Sequence, residues 1–196
     1  ISMTMSLFFK GSVKSKSSYN YNGFVTQLII NYIKHKTGDD YEKLLNKIFA
    51  DKVKIKYSIL PTFSGGSGQG KLHPNLSASR YDWLRIAKAI MDDYQNDTCV
   101  GKYLKEIHKR RIPKNYGGHK KEPEFNRTKS YGGQFHMDYP GLKDRVVFGF
   151  GGYGGNAILI DVEKSRIVVL NSLHYNNKRF KYSVKKLLID PIKKGK

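Results

Sequence analysis

The sequence predicts a mixed α/β fold of the α+β type, in which an antiparallel β-sheet is flanked by helices. The first half of the chain repeats apolar residues at helical spacing, and the stretch from Tyr131 to Ser172 consists of short strand-like runs with brief connections. The run from Asn176 to Ile189 is again amphipathic. The 196 residues, 39% of them hydrophobic, suffice for one core. We therefore expect a single domain over residues 1–196.

Two helices and one strand are predicted near the start of the chain. The helix that Tyr21 opens should bury one apolar face and end at Thr37-Gly38, and a shorter helix should run from Asp40 to Phe49. The expected buried positions of the first helix are Phe24, Leu28, Ile29, Tyr32 and Ile33. Val53 to Leu60 alternates apolar and polar residues, which predicts a half-exposed strand ending at Pro61. The glycine-rich run from Phe63 to Gly70 is typical of a surface connection.

Two further helices are predicted in the middle of the chain, from Ser79 to Tyr94 and from Cys99 to Lys109. Ser77 or Ser79 would cap the first of them. Its expected buried face is made of Trp83, Leu84, Ile86, Ala87, Ile90 and Met91. The segment from Arg110 to Lys129 is rich in Lys, Gly, Pro and Asn. We expect it to be a loop too polar to bury, mobile or pinned at the edge of a cleft.

The predicted strands of the sheet are Tyr131 to Tyr139, Arg145 to Phe150, Gly154 to Asp161 and Arg166 to Ser172. Because their connections are brief, successive strands must pair antiparallel. The amphipathic run from Asn176 to Ile189 should then form a closing helix that packs on this sheet.

Four segments occur in an order that matches a known family. Tyr21-Asn22-Gly23 opens a helix that ends in Thr-Gly, with Tyr21 and Thr37 separated by 16 residues. A short apolar helix follows, then the run from Leu76 to Arg85 (LSASRYDWLR), then the run from Gly152 to Asp161 (GYGGNAILID). This set resembles the serine β-lactamase-related hydrolases, which include class C β-lactamases, penicillin-binding proteins, esterases and amidases. The resemblance implies a β-lactamase/transpeptidase-like fold.

The same resemblance implies a serine hydrolase that cleaves a small-molecule ester or amide through an acyl-serine intermediate, without a cofactor. The family nucleophile lies in Ser-x-x-Lys upstream of the tyrosine, and no such motif precedes Tyr21 here. Ile1 to Leu7 looks like the family segment between the nucleophile and the tyrosine. We therefore expect a partial domain whose N-terminal part is missing, inactive alone, with that part as a possible separate chain.

Tyr21 is the predicted catalytic residue, because its family counterpart transfers protons to and from the leaving group. Tyr19 is the alternative if the register shifts. Gly23 stands where the family has an asparagine, so Asn22 or Asn20 would have to supply the amide that orients the substrate.

Gly151, Gly152 and Tyr153 stand where the family carries Lys/His-Thr/Ser-Gly, so no side-chain cation is expected there. A small-molecule esterase or amidase is therefore favoured over a β-lactamase. A glycine-flanked strand can still offer a backbone N–H to an oxyanion. The alternative function is a noncatalytic binding or cell-wall-associated module on the same fold.

The net charge of +20 is the feature that would indicate a nucleic-acid-binding protein. Its lysines are scattered over every segment without a nucleic-acid-binding motif, so we expect no specific nucleic acid partner and only weak, salt-sensitive adhesion to polyanions or anionic membranes.

Cysteine, histidine and hydropathy patterns indicate neither a metal nor a membrane span. The single cysteine, Cys99, excludes an internal disulfide, and His108 and His119 lack partners at ligand spacing. No run approaches the ~20 apolar residues of a membrane span. The compartment stays open, periplasmic or exported if a preceding segment carries a signal.

Overall fold

The fold is known from a computed structural model of the chain. It describes residues 19, 23–57, 60–64, 73–114, 128–152, 155–171 and 185–195. Helices, a two-stranded sheet and a six-stranded antiparallel sheet make up the described part, which confirms the predicted α+β class.

The N-terminal helices form an arm with an exposed apolar side. Helix α1 spans Gly23–Thr37, a 3-10 turn spans Gly38–Asp40, helix α2 spans Tyr41–Asn46, and a π-helical turn spans Lys47–Lys52. Gly38 adopts a φ of +52°, which suits the glycine expected at this helix end. The prediction of a buried face on α1 is wrong for Ile29, Tyr32 and Ile33, which are 46%, 59% and 37% exposed. No described element covers them.

The chain after this arm is fastened to the next helix rather than forming the predicted strand from Val53 to Leu60. Backbone N–H groups of Lys56 and Tyr57 donate to the two carboxylate oxygens of Asp82, at 2.9 and 3.2 Å. These donors are therefore unavailable to a strand partner, and Lys54 has a φ of +59°. The strand prediction is wrong over residues 53–57, and residues 58 and 59 lie outside the described part.

Strand β1 spans Leu60–Ser64 and pairs antiparallel with β2, His73–Ser77. A strand thus begins where the predicted one should have ended, and Pro61 lies inside it. Each strand of a two-stranded sheet has an unpaired edge, where a residue without an N–H is tolerated. Residues 65–70 of the predicted glycine-rich connection lie outside the described part.

Helices α3, Arg80–Gln95, and α4, Cys99–Lys109, confirm the two predicted central helices. Ser79 Oγ accepts from the backbone N–H of Asp82 at 3.1 Å and caps α3, and Thr98 caps α4 in the same way. Trp83 packs on the core, but Leu84 is 43% exposed, contrary to the prediction. A Cβ added to Gly101 would lie 1.9 Å from the Asp93 carbonyl oxygen, so the two helices approach closely at this glycine.

The main sheet is a meander whose strands are ordered as in the sequence, each antiparallel to the next. Its strands are β3 Ile112–Pro113, β4 Ser130–Gly132, β5 Phe135–Met137, β6 Val147–Gly152, β7 Asn156–Asp161 and β8 Arg166–Leu170. The predicted strand from Tyr131 to Tyr139 is two strands, because Gly133 and Gln134 turn the chain with φ of +52° and +70°. Strand β3 was not predicted.

Both faces of the sheet are covered. On one face Phe148 and Ile160 pack with Ala87 and Leu104 of α3 and α4. On the other, Val147 and Leu159 pack with the C-terminal segment through Leu188, Ile189 and Ile192.

This segment comprises a π-helical turn, Lys185–Ile189, and helix α5, Asp190–Lys194. The predicted closing helix does pack on the sheet, although residues 176–184 lie outside the described part. The helical segment continues beyond Ile189 into α5. Pro191 does not interrupt it, because Pro191 falls in the first turn of α5, where its missing N–H would have no partner within the helix.

Candidate functional site

One row of residues crosses three strands on the sheet face opposite α3 and α4. Tyr131 of β4 is paired with His136 of β5, and His136 with Gly149 of β6. Paired residues share a face, and side chains alternate along a strand. Gly149 therefore lies on the same face as Val147, which packs against the C-terminal segment.

A buried lysine lies beside this row. Lys114 follows β3, and its backbone N–H donates to the carbonyl oxygen of Lys129 at 2.8 Å. Its ammonium donates to Thr128 Oγ1 at 2.5 Å and also contacts His136 Nδ1. Lys114 and Thr128 are only 8% and 5% exposed. Lys114, Thr128 and His136, with the aromatic rings described next, are called the Lys114 cluster.

Two tyrosine rings form the aromatic wall of the Lys114 cluster. The ammonium of Lys114 lies 5.1 Å from the ring centroid of Tyr19 and 5.6 Å from that of Tyr131. The two rings are 4.7 Å apart, and Tyr131 contacts the His136 ring edge-on at 5.2 Å. A cation over two π faces is stabilised electrostatically, which offsets part of the cost of burying the ammonium.

His136 is held neutral by its surroundings. Burial, and secondarily the charge of Lys114, lower its pKa from the ordinary 6.5 to about 4. A neutral imidazole has one acceptor nitrogen and one N–H donor. Because Nδ1 faces the ammonium, Nδ1 is the acceptor and Nε2 carries the proton.

The neighbouring strand β6 ends in exposed glycine backbone. A Cβ on Gly149 would lie 1.8 Å from the hydroxyl oxygen of Tyr139, so that phenol occupies the space over the strand. Gly151 and Gly152 are exposed, and the atoms nearest to their missing side chains belong to Asn156. The end of β6 thus presents main chain beside one amide side chain.

A second polar group braces the strands beneath the Lys114 cluster. Asp138 Oδ2 accepts from Arg111 Nε at 2.6 Å and from Ser130 Oγ at 2.5 Å. Burial raises the pKa of the Asp138 carboxyl, but these bonds and the Arg111 charge outweigh it and lower the pKa overall. The backbone N–H of Lys129 also donates to the Asp138 carbonyl oxygen, at 3.1 Å. Asp138 therefore ties β4 and β5 to the chain at β3.

The structure brings together only some of the predicted site residues. Tyr21, Asn22 and Tyr153 lie outside the described part. Gly151 and Gly152 lie at the exposed end of β6, and the alternative tyrosine, Tyr19, lies in the Lys114 cluster.

Sequence reasoning missed the polar members of the cluster. Lys114 and Thr128 fell in a segment predicted to be too polar to bury, and this is wrong at both residues because each satisfies the other within an aromatic wall. His136 was placed only within the predicted strand from Tyr131 to Tyr139. Its neighbour Tyr131, at the same distance from the hairpin turn, was the available signal.

The sequence contains one Ser-x-x-Lys, at Ser183 to Lys186, which follows the sheet instead of preceding Tyr21. Ser183 lies outside the described part, and Lys186 is exposed on the C-terminal segment. The order is therefore the reverse of the family's.

Within the described ranges, no three His, Cys, Asp or Glu side chains are grouped as metal ligands. None of the described helices combines the length and apolar character needed to cross a membrane. Comparisons with protein-family models, curated proteins and solved structures found no match.

Proposed function

We propose that this chain is the C-terminal part of a β-lactamase-related serine hydrolase that cleaves an ester or amide through an acyl-serine intermediate. The observation that carries the proposal is the position of Tyr19, which lies against Lys114 and against Tyr131, the first residue of the row that ends at Gly149 of β6. A phenol, a buried cation and exposed glycine main chain can serve acyl transfer as a proton-transfer group, a nearby positive charge and an approach for the acyl group. On this proposal, the nucleophilic serine lies upstream of this chain.

Tyr19 is the proton-transfer group in this scheme. The ammonium of Lys114 lies 5.1 Å from the Tyr19 ring centroid, so a positive charge stands beside the phenol. Tyr19 thereby takes the role that the sequence placed first on Tyr21, two residues away.

The main chain of Gly151 and Gly152 is the proposed oxyanion-binding edge. Both residues are exposed, so a substrate carbonyl can approach without meeting a side chain on the strand. The amide of Asn156 lies beside Gly152 and can orient an acyl group, the part that Gly23 cannot play.

The position of the cation favours an uncharged ester or amide over a β-lactam. Lys114 is 8% exposed and enclosed by Tyr19 and Tyr131, so it offers little charge to a substrate carboxylate at the surface. Gly151 and Gly152 provide no cation either.

The test is labelling of the complete protein with a fluorophosphonate probe, beside hydrolysis of a nitrophenyl ester. We expect the probe to label one serine of the parent protein. The Tyr19→Phe variant should be labelled much more slowly. A matched Tyr81→Phe variant, whose tyrosine is 64% exposed on α3, should react at the parent rate. Absence of labelling in a folded complete protein would refute the hydrolase.

A noncatalytic binding module on the same fold is the second candidate. It is favoured by the lack of any side chain at Gly151 and Gly152, where a hydrolase would carry a polar group. This candidate predicts no serine labelling together with saturable binding of an amide or ester ligand, weakened by substitution of Asn156.

A further inference from the structure

The Lys114 cluster contains two basic side chains in direct contact. Lys114 Nζ donates to His136 Nδ1, which is possible only while the imidazole is neutral. Protonation of His136 would remove the acceptor and set two positive charges against each other at contact distance. In a site this buried, such repulsion is only weakly screened.

The described groups that face His136 offer no negative charge to offset this repulsion. Lys114 faces it from the end of β3, Tyr131 from β4, and Thr128 Oγ1 lies 3.4 Å from Nδ1. Its partner on β6 is Gly149, over which the Tyr139 hydroxyl lies. The nearby carboxylate of Asp138 is bound instead to Arg111 and Ser130.

The cluster joins parts of the chain that are distant in sequence. Lys114 and Thr128 close the base of the segment between β3 and β4, and Tyr19 is held by Lys114 and Tyr131. Any event that displaces the Lys114 ammonium therefore loosens Tyr19 and the end of β3 together.

We propose that the Lys114 cluster is an acid-sensitive clasp, in which protonation of His136 expels Lys114 and releases Tyr19 and the end of β3 from the sheet. The clasp goes beyond the proposed hydrolase and does not depend on it. In a hydrolase it would disassemble the site in acid, and in a binding module it would release the ligand.

The pH range follows from the two states of His136. The pKa of His136 is about 4 in the folded chain and near 6.5 when exposed, so the unfolded or released state takes up the proton more readily. The contribution of the clasp is therefore complete above pH 6.5 and is lost as the pH falls from 6.5 to about 4.

The experiment compares the parent chain with His136→Gln, Lys114→Met and the control His35→Gln, whose histidine is exposed on α1. Thermal unfolding is measured at pH 7 and pH 5, and the histidine pKa values are measured by NMR. We expect the parent and His35→Gln to lose several degrees of Tm on acidification, and His136→Gln to lose distinctly less. In Lys114→Met the pKa of His136 should rise part of the way toward 6.5, because the neighbouring charge is gone while burial, the larger cause, remains.

Two results would overturn the clasp. One is a parent His136 that titrates near 6.5, and the other is a His136→Gln variant as acid-sensitive as the parent. If a variant does not fold, the NMR titration of His136 in the parent chain decides by itself. Because no measurement uses catalysis, failure of the clasp is distinguishable from failure of the hydrolase.

Discussion

Asp82 connects the N-terminal arm to α3, and its replacement by Asn should destabilise the chain strongly. The carboxylate is fully buried and accepts four hydrogen bonds, from the backbone N–H groups of Lys56 and Tyr57, from Ser79 Oγ and from Arg85 Nη1. Burial alone raises the pKa of Asp82, but these bonds outweigh it and lower the pKa. The carboxylate is therefore charged in the folded chain at neutral pH.

The magnitude follows from what an amide can replace. One oxygen of Asp82 serves Lys56 and Arg85, and the other serves Tyr57 and Ser79. In Asp82→Asn the amide NH₂ must replace one of the two carboxylate oxygens. This NH₂ then points at a backbone N–H, and the two donors cannot bind each other. A hydrogen bond to a charged group contributes about 1.5–3 kcal/mol, and a buried donor left unsatisfied costs about 1–3 kcal/mol. We expect a loss of about 2–4 kcal/mol, a large part of the ~5–15 kcal/mol that stabilises a domain.

Urea unfolding followed by Trp83 fluorescence measures this loss of stability. Trp83 is the single tryptophan, and its ring centroid lies 5.9 Å from that of Phe150. The matched control is Asp92→Asn on the same helix, whose ion pair with Lys88 is largely exposed and should be worth less than about 1 kcal/mol. The Asp82 contribution is present above its ordinary pKa and is lost as the pH falls through its lowered value. Asp82→Asn should therefore flatten the stability profile below pH 4. Equal urea midpoints for Asp82→Asn and Asp92→Asn would refute the role of Asp82 in joining the N-terminal arm to α3.

Three further outcomes are expected. Tyr19→Phe in the complete protein should lower the acylation rate by about 10²–10⁴ and stability by at most ~1–2 kcal/mol, measured by ester hydrolysis and thermal unfolding. If Tyr21→Phe lowers the acylation rate and Tyr19→Phe does not, the assignment of the proton-transfer role to Tyr19 is wrong. Gly149→Ala should lower Tm, because its methyl group meets the Tyr139 hydroxyl, and adding Tyr139→Phe should restore part of the loss. Gly101→Ala should be worse than Gly149→Ala by urea unfolding, since its methyl group meets backbone at Asp93 that cannot rotate away.

Sequence pattern was sufficient where structure is decided locally. The helices α3 and α4 have their caps, Ser79 and Thr98, within one turn of their apolar faces, so their starts could be read from the chain. The antiparallel order of the sheet followed in the same way from short connections.

The pattern failed where a distant residue decides. The alternation from Val53 to Leu60 is a good strand pattern, but the backbone N–H groups of Lys56 and Tyr57 donate to Asp82. The periodicity of the sequence does not reveal these two hydrogen bonds. Lys114 likewise looked like a solvated loop residue, because its aromatic wall comes from Tyr19 and Tyr131, on other segments. Of the candidate site, Gly151, Gly152 and the alternative Tyr19 were named from the sequence, and the cation Lys114 was not.

The strictly sequential order of the main sheet has a consequence for how the sheet assembles. The turn between β4 and β5 is two residues long, whereas β3 is separated from β4 by residues 114–129. Closing a longer loop costs more conformational entropy, so joining β3 to β4 costs more than closing that hairpin. Strands β4 to β8 can form by successive local pairing, which favours rapid folding. Strand β3 should then add last and open first, and amide exchange at Ile112 should exceed exchange at Phe148.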